Sequence, residues 1–335
     1  MPKEKKPTIY DVADRSGVSI STISRVLNAP QKVHPATRDR VMAAIDQLEF
    51  VPKAEARARA LRHVNRIGVL TPFFTAPSFV QRLRGAASAL SSANYELVIY
   101  PVDSVEHLQG HISSIPIRQN VDGLIVMSLA LHERDARRLY ENGMETVLIE
   151  HFHASLNSIV IDDVQGGRLA ARHLIEKGHK RIAFLGDIGP LEKYAIHPVK
   201  SRLQGFRETL EEAAISLPRR YVVQAVHTAE SSQRAACELL GLRQRPTAIF
   251  AAADIQAISV LKEARRMKMR IPDDVAVMGF DDIDLAAYME LTTIRQPLDE
   301  SGKLAAKILL SGLADPNRTL QHVQLPLTLV ERSTT

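Results

Sequence analysis

Ile20, Ser21, Ser24, Arg25 and Asn28 combine short hydrogen-bonding groups with one guanidinium and one branched apolar side chain. On a helix turning about 100° per residue they gather into an arc of about 140°. Thr22, Ile23 and Val26 fall on the opposite side. The chemistry of the first arc suits the edges of base pairs. Arginine can bond guanine O6 and N7 with two hydrogen bonds, serine adapts to several edges, and isoleucine can meet a thymine methyl. Periodicity alone also allows a small helical bundle with a solvated polar face. Charge location separates the two readings. Residues 1–62 hold 12 Lys/Arg against 7 Asp/Glu, whereas the remainder holds 31 of each, so the whole net charge of +5 lies on the first segment. A basic, helical segment on a neutral body is the footprint of a nucleic-acid module.

Those residues need a frame. Ile9, Val12 and Ala13 have helical spacing, Gly17-Val18 breaks the pattern, and Ser19 can cap a second helix running to about residue 27. Ala29-Pro30 ends that helix. Pro35 suits the first turn of a third, whose buried stripe is Val41, Ile45 and Leu48, and Pro52 closes the unit. The run KAEARARALR at 53–62 has helical propensity but is too short to be stable alone. From Arg66 the pattern changes. RIGVL, YELVIY, DGLIVM and ETVLI form one series of apolar runs separated by helical segments, and IAFLG, YVVQ, TAIFAA and VAVMGF form a second. Two parallel α/β units are expected, completed by late strands in TTIRQP and VQLPLTLVE.

Several function classes are disfavoured. There is no phosphate-binding G-x-x-x-x-G-K-[ST], no G-x-S-x-G, no H-E-x-x-H and no glycine-rich dinucleotide turn, and His132-Glu133 lacks a second histidine. No enzymatic activity, cofactor or metal is therefore expected. MPKEKKPTIYDVADRSG lacks the apolar stretch of a secretory signal, and no run reaches the ~18 apolar residues of a membrane span. The lone cysteine, Cys237, forbids an intrachain disulfide and fits a reducing, cytoplasmic compartment. It is expected to be a small buried residue in a helix.

The order of residues is more specific. TIYDVADRSGVSISTISRVLN followed by VHPATRDRVMAAIDQLEFVP closely resembles the N-terminal domain of the LacI/GalR family of bacterial repressors. The resemblance continues through RIGVL, EKGHKRIAFLG, MGFDD and TTIRQP and covers nearly the whole chain. It implies an all-α helix-turn-helix headpiece plus an α/β two-lobed periplasmic-binding-protein-like domain. The headpiece is expected over 1–52, a hinge helix or linker over 53–65, and an effector-binding and dimerisation domain over 66–335. Within the last, one lobe is expected at about 66–160 and 292–318, and the other at about 162–290 and 320–333. The implied function is sequence-specific binding of a homodimer to a pseudo-palindromic operator in double-stranded DNA, as a repressor controlled by a small molecule.

Carried over by position, the resemblance implies that Ile20, Ser21 and Arg25 read bases. Thr8, Tyr10, Ser19, Thr22, Ser24, Asn28, Lys32 and His34 stand where phosphates are gripped or the reading helix is supported. His34 departs from the serine frequent at that cap. In the hinge, Arg59 stands where the family has a leucine that wedges between base pairs, and Leu61 follows two residues later. Either Leu61 intercalates in a shifted register, or Arg59 reads a narrowed minor groove, or these arginines only neutralise phosphates.

For the effector, the resemblance places Phe79, Asp162, Arg202, Asp254 and Asp281 at or near the pocket between the lobes. Carboxylates accepting from vicinal hydroxyls, with an arginine donating back, suit a sugar or sugar derivative. A purine or nucleoside effector stays open, and a solute-binding protein of the same fold is the remaining alternative. With no tryptophan, stacking on a ligand would fall to Phe79, Phe73, Phe74 or Tyr288. Lys193, His151 and His153 would suit an acidic ligand, or else be solvated loop residues.

Overall fold

The computed structural model describes residues 7–28, 33–48, 64–187, 194–226, 228–315 and 317–335, with backbone only at 27 and 28. It divides into two units, Met1–Val64 and Asn65–Thr335.

The small unit contains α1 (Ile9–Ser16), α2 (Ile20–Asn28) and α3 (Pro35–Gln47). The Asp11 carboxylate accepts from both the amide and the hydroxyl of Thr8, each at 2.6 Å, and so fixes the start of α1. Gly17 ends it at φ +65, a conformation open to a residue without Cβ. Ser19 Oγ accepts from the Thr22 amide at 3.3 Å and opens α2. Pro35 occupies the first turn of α3. Val12, Ile23, Val26, Val41, Ala44 and Ile45 are buried together, one stripe from each helix.

In the large unit the first five strands are β1 (Arg66–Thr71), β2 (Glu96–Pro101), β3 (Gly123–Met127), β4 (Glu145–Ile149) and β5 (Asn157–Val160). Between them run α4 (Pro77–Ser92), α5 (Val105–Arg118) and α6 (Glu133–Glu141). Then come α7 (Asp163–Glu176), β6 (Ile182–Gly186), α8 (Pro198–Glu212), β7 (Val222–Gln224), α9 (Ala229–Leu240), β8 (Ala248–Ala251), α10 (Asp254–Arg266) and β9 (Ala276–Asp281). The chain ends with α11 (Asp284–Tyr288), β10 (Thr292–Arg295), α12 (Leu298–Ala314), β11 (His322–Gln324) and β12 (Thr328–Val330). One sheet has the order β11-β5-β4-β3-β1-β2 and the other β12-β10-β9-β8-β6-β7. Among the described residues every pairing between these strands is parallel except β10 with β12, and an isolated antiparallel bridge joins Leu129 to Ala195. Central strands such as β3 and β6 are buried along their whole length, because helices cover both faces.

The expected lobe boundaries need correction at two strands. Residues 292–295 pair with β9, Thr293 opposite Gly279, and belong to the second lobe, not the first. Residues 322–324 pair with β5, Val323 opposite Ile159, and belong to the first, not the second. VQLPLTLVE is thus not one strand. Leu325-Pro326-Leu327 crosses between lobes, and Pro326 has no N–H for a ladder. Such short terminal strands look alike in pattern, so the free sheet edge decides where each goes. β5 was not anticipated. Cys237 is exposed rather than buried: Ala235, Ala236, Leu239 and Leu240 form the inward stripe of α9, and Cys237 lies off it.

Two helix pairs meet backbone to backbone. A Cβ at Gly85 of α4 would lie 1.9 Å from the Asp299 carbonyl oxygen of α12, and one at Gly302 would lie 1.9 Å from the Arg82 carbonyl oxygen. The second lobe repeats this, with Gly205 of α8 against Val164 and Gly167 of α7 against Arg202, both at 1.9 Å. These contacts fix the backbone at Arg82 and Arg202. Among the described residues, no helix is long and apolar enough to cross a membrane, and no cluster of His, Cys, Asp or Glu could hold a metal ion.

Candidate functional site

On the small unit, α2 presents the expected arc. Ile23 and Val26 are buried, while Ile20, Ser21 and Arg25 are exposed and Thr22 and Ser24 half-buried. Ser19 Oγ lies 2.8 Å from Ser21 Oγ and 2.9 Å from Thr22 Oγ1, a hydroxyl cluster at the start of the helix. Such a cluster can donate to phosphate oxygens. Tyr10 is exposed on the first turn of α1, and His34 precedes α3 without capping it through its side chain. The Thr8 hydroxyl donates to Asp11. Lys32, Arg59, Leu61 and the side chain of Asn28 lie outside the described residues, as does Lys193.

In the large unit a cleft of about 850 Å³ opens between the lobes, at the carboxyl ends of the strands. Phe73, Phe79, Arg82, Ser128 and Glu150 line it from the first lobe, and Asp187, Arg202, Gln224 and Asp281 from the second. Gln296, at the crossover after β10, lines it too. Phe73, Ser128 and Glu150 follow β1, β3 and β4 with φ of +36, +53 and +67, and Asp281 ends β9 at +118. Non-glycine residues in this region are strained, and strain of this kind collects at binding sites.

Arg202 donates Nε to Asp163 at 2.8 Å and Nη1 to the Ala252 carbonyl at 2.7 Å, and its guanidinium lies 3.6 Å above the Phe280 ring. Arg82 pairs with Glu150, which also accepts from the Ser128 hydroxyl, and Arg82 donates to Gln296 Oε1 at 2.9 Å. Gln296 Nε2 donates to Asp281 Oδ1 at 2.5 Å. Burial opposes the charge on Glu150, but Arg82, Ser128 and Arg202 outweigh it and hold its pKa below the ordinary carboxylate value. For Asp281 burial wins over Arg202 and Gln296, and the carboxyl is pushed up to about 6.

Phe79, Arg202 and Asp281 are therefore brought together, and Asp254 and Asp162 are not. Asp254 is fully buried, accepting from Thr293 Oγ1 at 2.5 Å and from the Ile283 amide at 2.9 Å. Burial and the Asp281 charge raise its pKa well above the usual range. It braces the turn after β9 from inside. Asp162 is exposed and caps α7 through the Gln165 amide at 2.9 Å, while its neighbour Asp163 takes Arg202. Phe73 meets Phe79 edge to face at 6.2 Å. Phe74, Tyr288, His151 and His153 are not lining residues; His153 pairs with Glu133 at 3.0 Å instead. Arg82, Glu150, Ser128, Asp187, Gln224 and Gln296 went unnoticed in the sequence. One signal could have found Arg82: Arg82-Leu83-Arg84-Gly85 repeats as Arg202-Leu203-Gln204-Gly205, with the same glycine contact below each arginine.

Residues 8–53 match the model of bacterial regulatory proteins, lacI family, and residues 171–335 match the periplasmic binding protein-like domain. The ribose operon repressor of Escherichia coli (strain K12) is 34% identical over 331 residues, 97% of this chain and 98% of that protein. The lac repressor dimer bound to operator and the anti-inducer ONPF aligns over 99% of each chain at 28% identity, with a TM-score of 0.79. The transcriptional regulator CelR in complex with cellobiose aligns over 98% of this chain and 100% of that one at 29% identity, with a TM-score of 0.70.

Proposed function

The chain belongs to the lacI family of bacterial regulatory proteins, DNA-binding regulators of transcription, and on that premise we propose that it is a homodimeric repressor released or recruited by a neutral sugar. The α2 face of each headpiece reads one half of a pseudo-palindromic operator, Arg25 supplying the paired hydrogen bonds that discriminate guanine. The protein acts in the cytoplasm, where its DNA target lies, and has no catalytic role of its own; the relatives that support this are repressors.

One observation carries the choice of ligand: each lobe brings a guanidinium and a carboxylate to the cleft wall, Arg82 paired with Glu150 in the first and, in the second, Arg202 close enough to Asp281 to favour its charge. Gln296 occupies Asp281 Oδ1, and among the described residues no donor reaches Oδ2. Arg82 and Glu150 form the opposing pair. A hydroxyl is both donor and acceptor, so adjacent hydroxyls satisfy a carboxylate and a guanidinium together. An anion would meet Glu150, Asp281 and Asp187, and a cation would meet two arginines. Phe73 and Phe79 supply an apolar wall for a sugar ring. The CelR–cellobiose complex supports the same ligand class. Sugar binding then fixes the lobe arrangement and, through it, the affinity of the dimer for operator.

A thermal-shift panel of neutral pentoses, hexoses and disaccharides, including D-ribose and cellobiose, tests this reading. At least one sugar should raise the melting temperature of the wild type, and Asp281→Asn or Arg202→Met should abolish that rise. A sugar that stabilises the variants as much as the wild type would place its site elsewhere, and a panel without effect would overturn the sugar assignment.

A further inference from the structure

Three residues of α4, in the first lobe, reach toward the second-lobe turn that carries Asp281. Gln81 Oε1 accepts from the Asp284 amide at 2.9 Å. Arg84 donates Nη1 to Asp284 Oδ2 at 2.7 Å and Nη2 to Oδ1 at 3.3 Å. Its Nε and Nη2 also hold Asp299, at the start of α12, at 2.7 and 2.6 Å. From the inner side Arg82 reaches Asp281 through Gln296, at 2.9 and 2.5 Å. A four-residue turn is thus gripped from the cleft and from outside by one helix.

The turn is itself strained. Asp281 and Asp282 have φ of +118 and +56, and Arg295 and Arg332 hold Asp282 at 2.6 and 2.7 Å. Such a turn keeps few alternatives, so a push on Asp281 reaches Asp284. Helix α4 cannot follow that push alone, because Gly85 presses it against the α12 backbone. The two grips differ in kind. The inner one is buried, whereas the Arg84 and Asp284 side chains are 52% and 60% exposed. Exposed ion pairs are individually weak and screened by salt, which suits a fastening that has to open.

We propose that Arg84 is a latch residue between the lobes: with Gln81 it holds the Asp281–Asp284 turn against the first lobe, so that movement of Asp281 by a bound ligand opens or tightens the latch and shifts the lobe arrangement. The link to regulation rests on the cleft being the effector site, but the latch exists without ligand and is tested without it. Arg84 acts through the turn as a positioning residue and does not touch the cleft.

The experiment uses the full chain, spin-labelled at the native, exposed Cys237 on α9 and at Glu141→Cys on α6, one label in each lobe. Labelled chains are diluted into unlabelled ones so that pulsed dipolar spectroscopy reads distances within a single chain. At low salt, Arg84→Ala and Asp284→Asn should each populate a second inter-label distance about two- to fivefold more than the parent chain, the shift expected from exposed ion pairs. About 1 M salt should move the parent the same way, and Arg84→Lys should restore part of the original distribution. Asp299→Asn, which removes only the same-lobe support of Arg84, should have a smaller effect. Distance distributions of Arg84→Ala and the parent that superpose at low salt would overturn the latch, whatever the sugar panel shows. A latch that opens as expected, in a protein that binds no sugar, would leave the latch standing and overturn the effector assignment.

Discussion

Arg25 and Asp281 stand at the ends of two different polar chemistries. Arg25 is exposed on α2 with Ser21 and Ile20 beside it. Arg25→Ala should weaken binding to the preferred operator by about 1–3 kcal/mol and relax the preference at one position of each half-site. Replacing a phosphate-gripping residue should instead weaken all sequences alike. Fluorescence anisotropy on an operator selected from random duplexes, with single-base variants, separates the two outcomes. Asp281 is pushed up to about 6 by burial. Its folded pKa exceeds its unfolded one, so its favourable contribution is complete below about pH 4 and is lost as pH rises through 6. Asp281→Asn should therefore be more stable than the parent at pH 8, by up to about 3 kcal/mol, with the difference vanishing near pH 4 and a higher melting temperature at pH 8 as the readout. Loss of sugar binding with a gain in stability would mark Asp281 as a residue kept for function. Arg202 and Asp281 were legible mainly through the family resemblance, which aligns them at the pocket beside a recognisable helix and strand. Glu150 was not, since it acts through Arg82, 68 residues earlier in the chain. Asp254 was misplaced because a carboxylate after a strand can face a cleft or brace a turn, and only burial tells which.

At the scale of elements, glycines decide how closely helices approach. Gly85→Ala forces a Cβ to within 1.9 Å of a backbone oxygen, so α4 and α12 must separate. Overpacking of this sort costs about 1–3 kcal/mol or more, and a lower melting temperature should report it. Gly110 lies exposed within α5 with nothing within 4 Å of an added Cβ. There the same substitution should stabilise by up to about 1 kcal/mol, through helix propensity alone. The pair of variants distinguishes a packing role from a conformational one. Most elements were readable because their apolar periods were long. The exchange of β10 and β11 between lobes was not, since strands of four and three residues carry no address. Their destination follows from which sheet edge β9 and β5 leave open.

At the scale of the molecule, the chain joins a basic headpiece to a body of zero net charge, with the entire excess of +5 in residues 1–62. Operator binding should accordingly fall log-linearly with salt, and the body should contribute little to the slope. Within the two-lobed body, three chain crossings among the described residues and the α4 grip on the 281–284 turn make the lobe arrangement the quantity a ligand in the cleft can bias. The most direct measurement is operator affinity of the full chain with and without a sugar that stabilises it, for the parent and for Asp281→Asn. Saturable, salt-sensitive binding that the sugar changes by about 5- to 150-fold in the parent and not in Asp281→Asn is the expected result. An operator affinity that stays the same when the sugar is bound, or a change that persists in Asp281→Asn, would contradict regulation through this cleft.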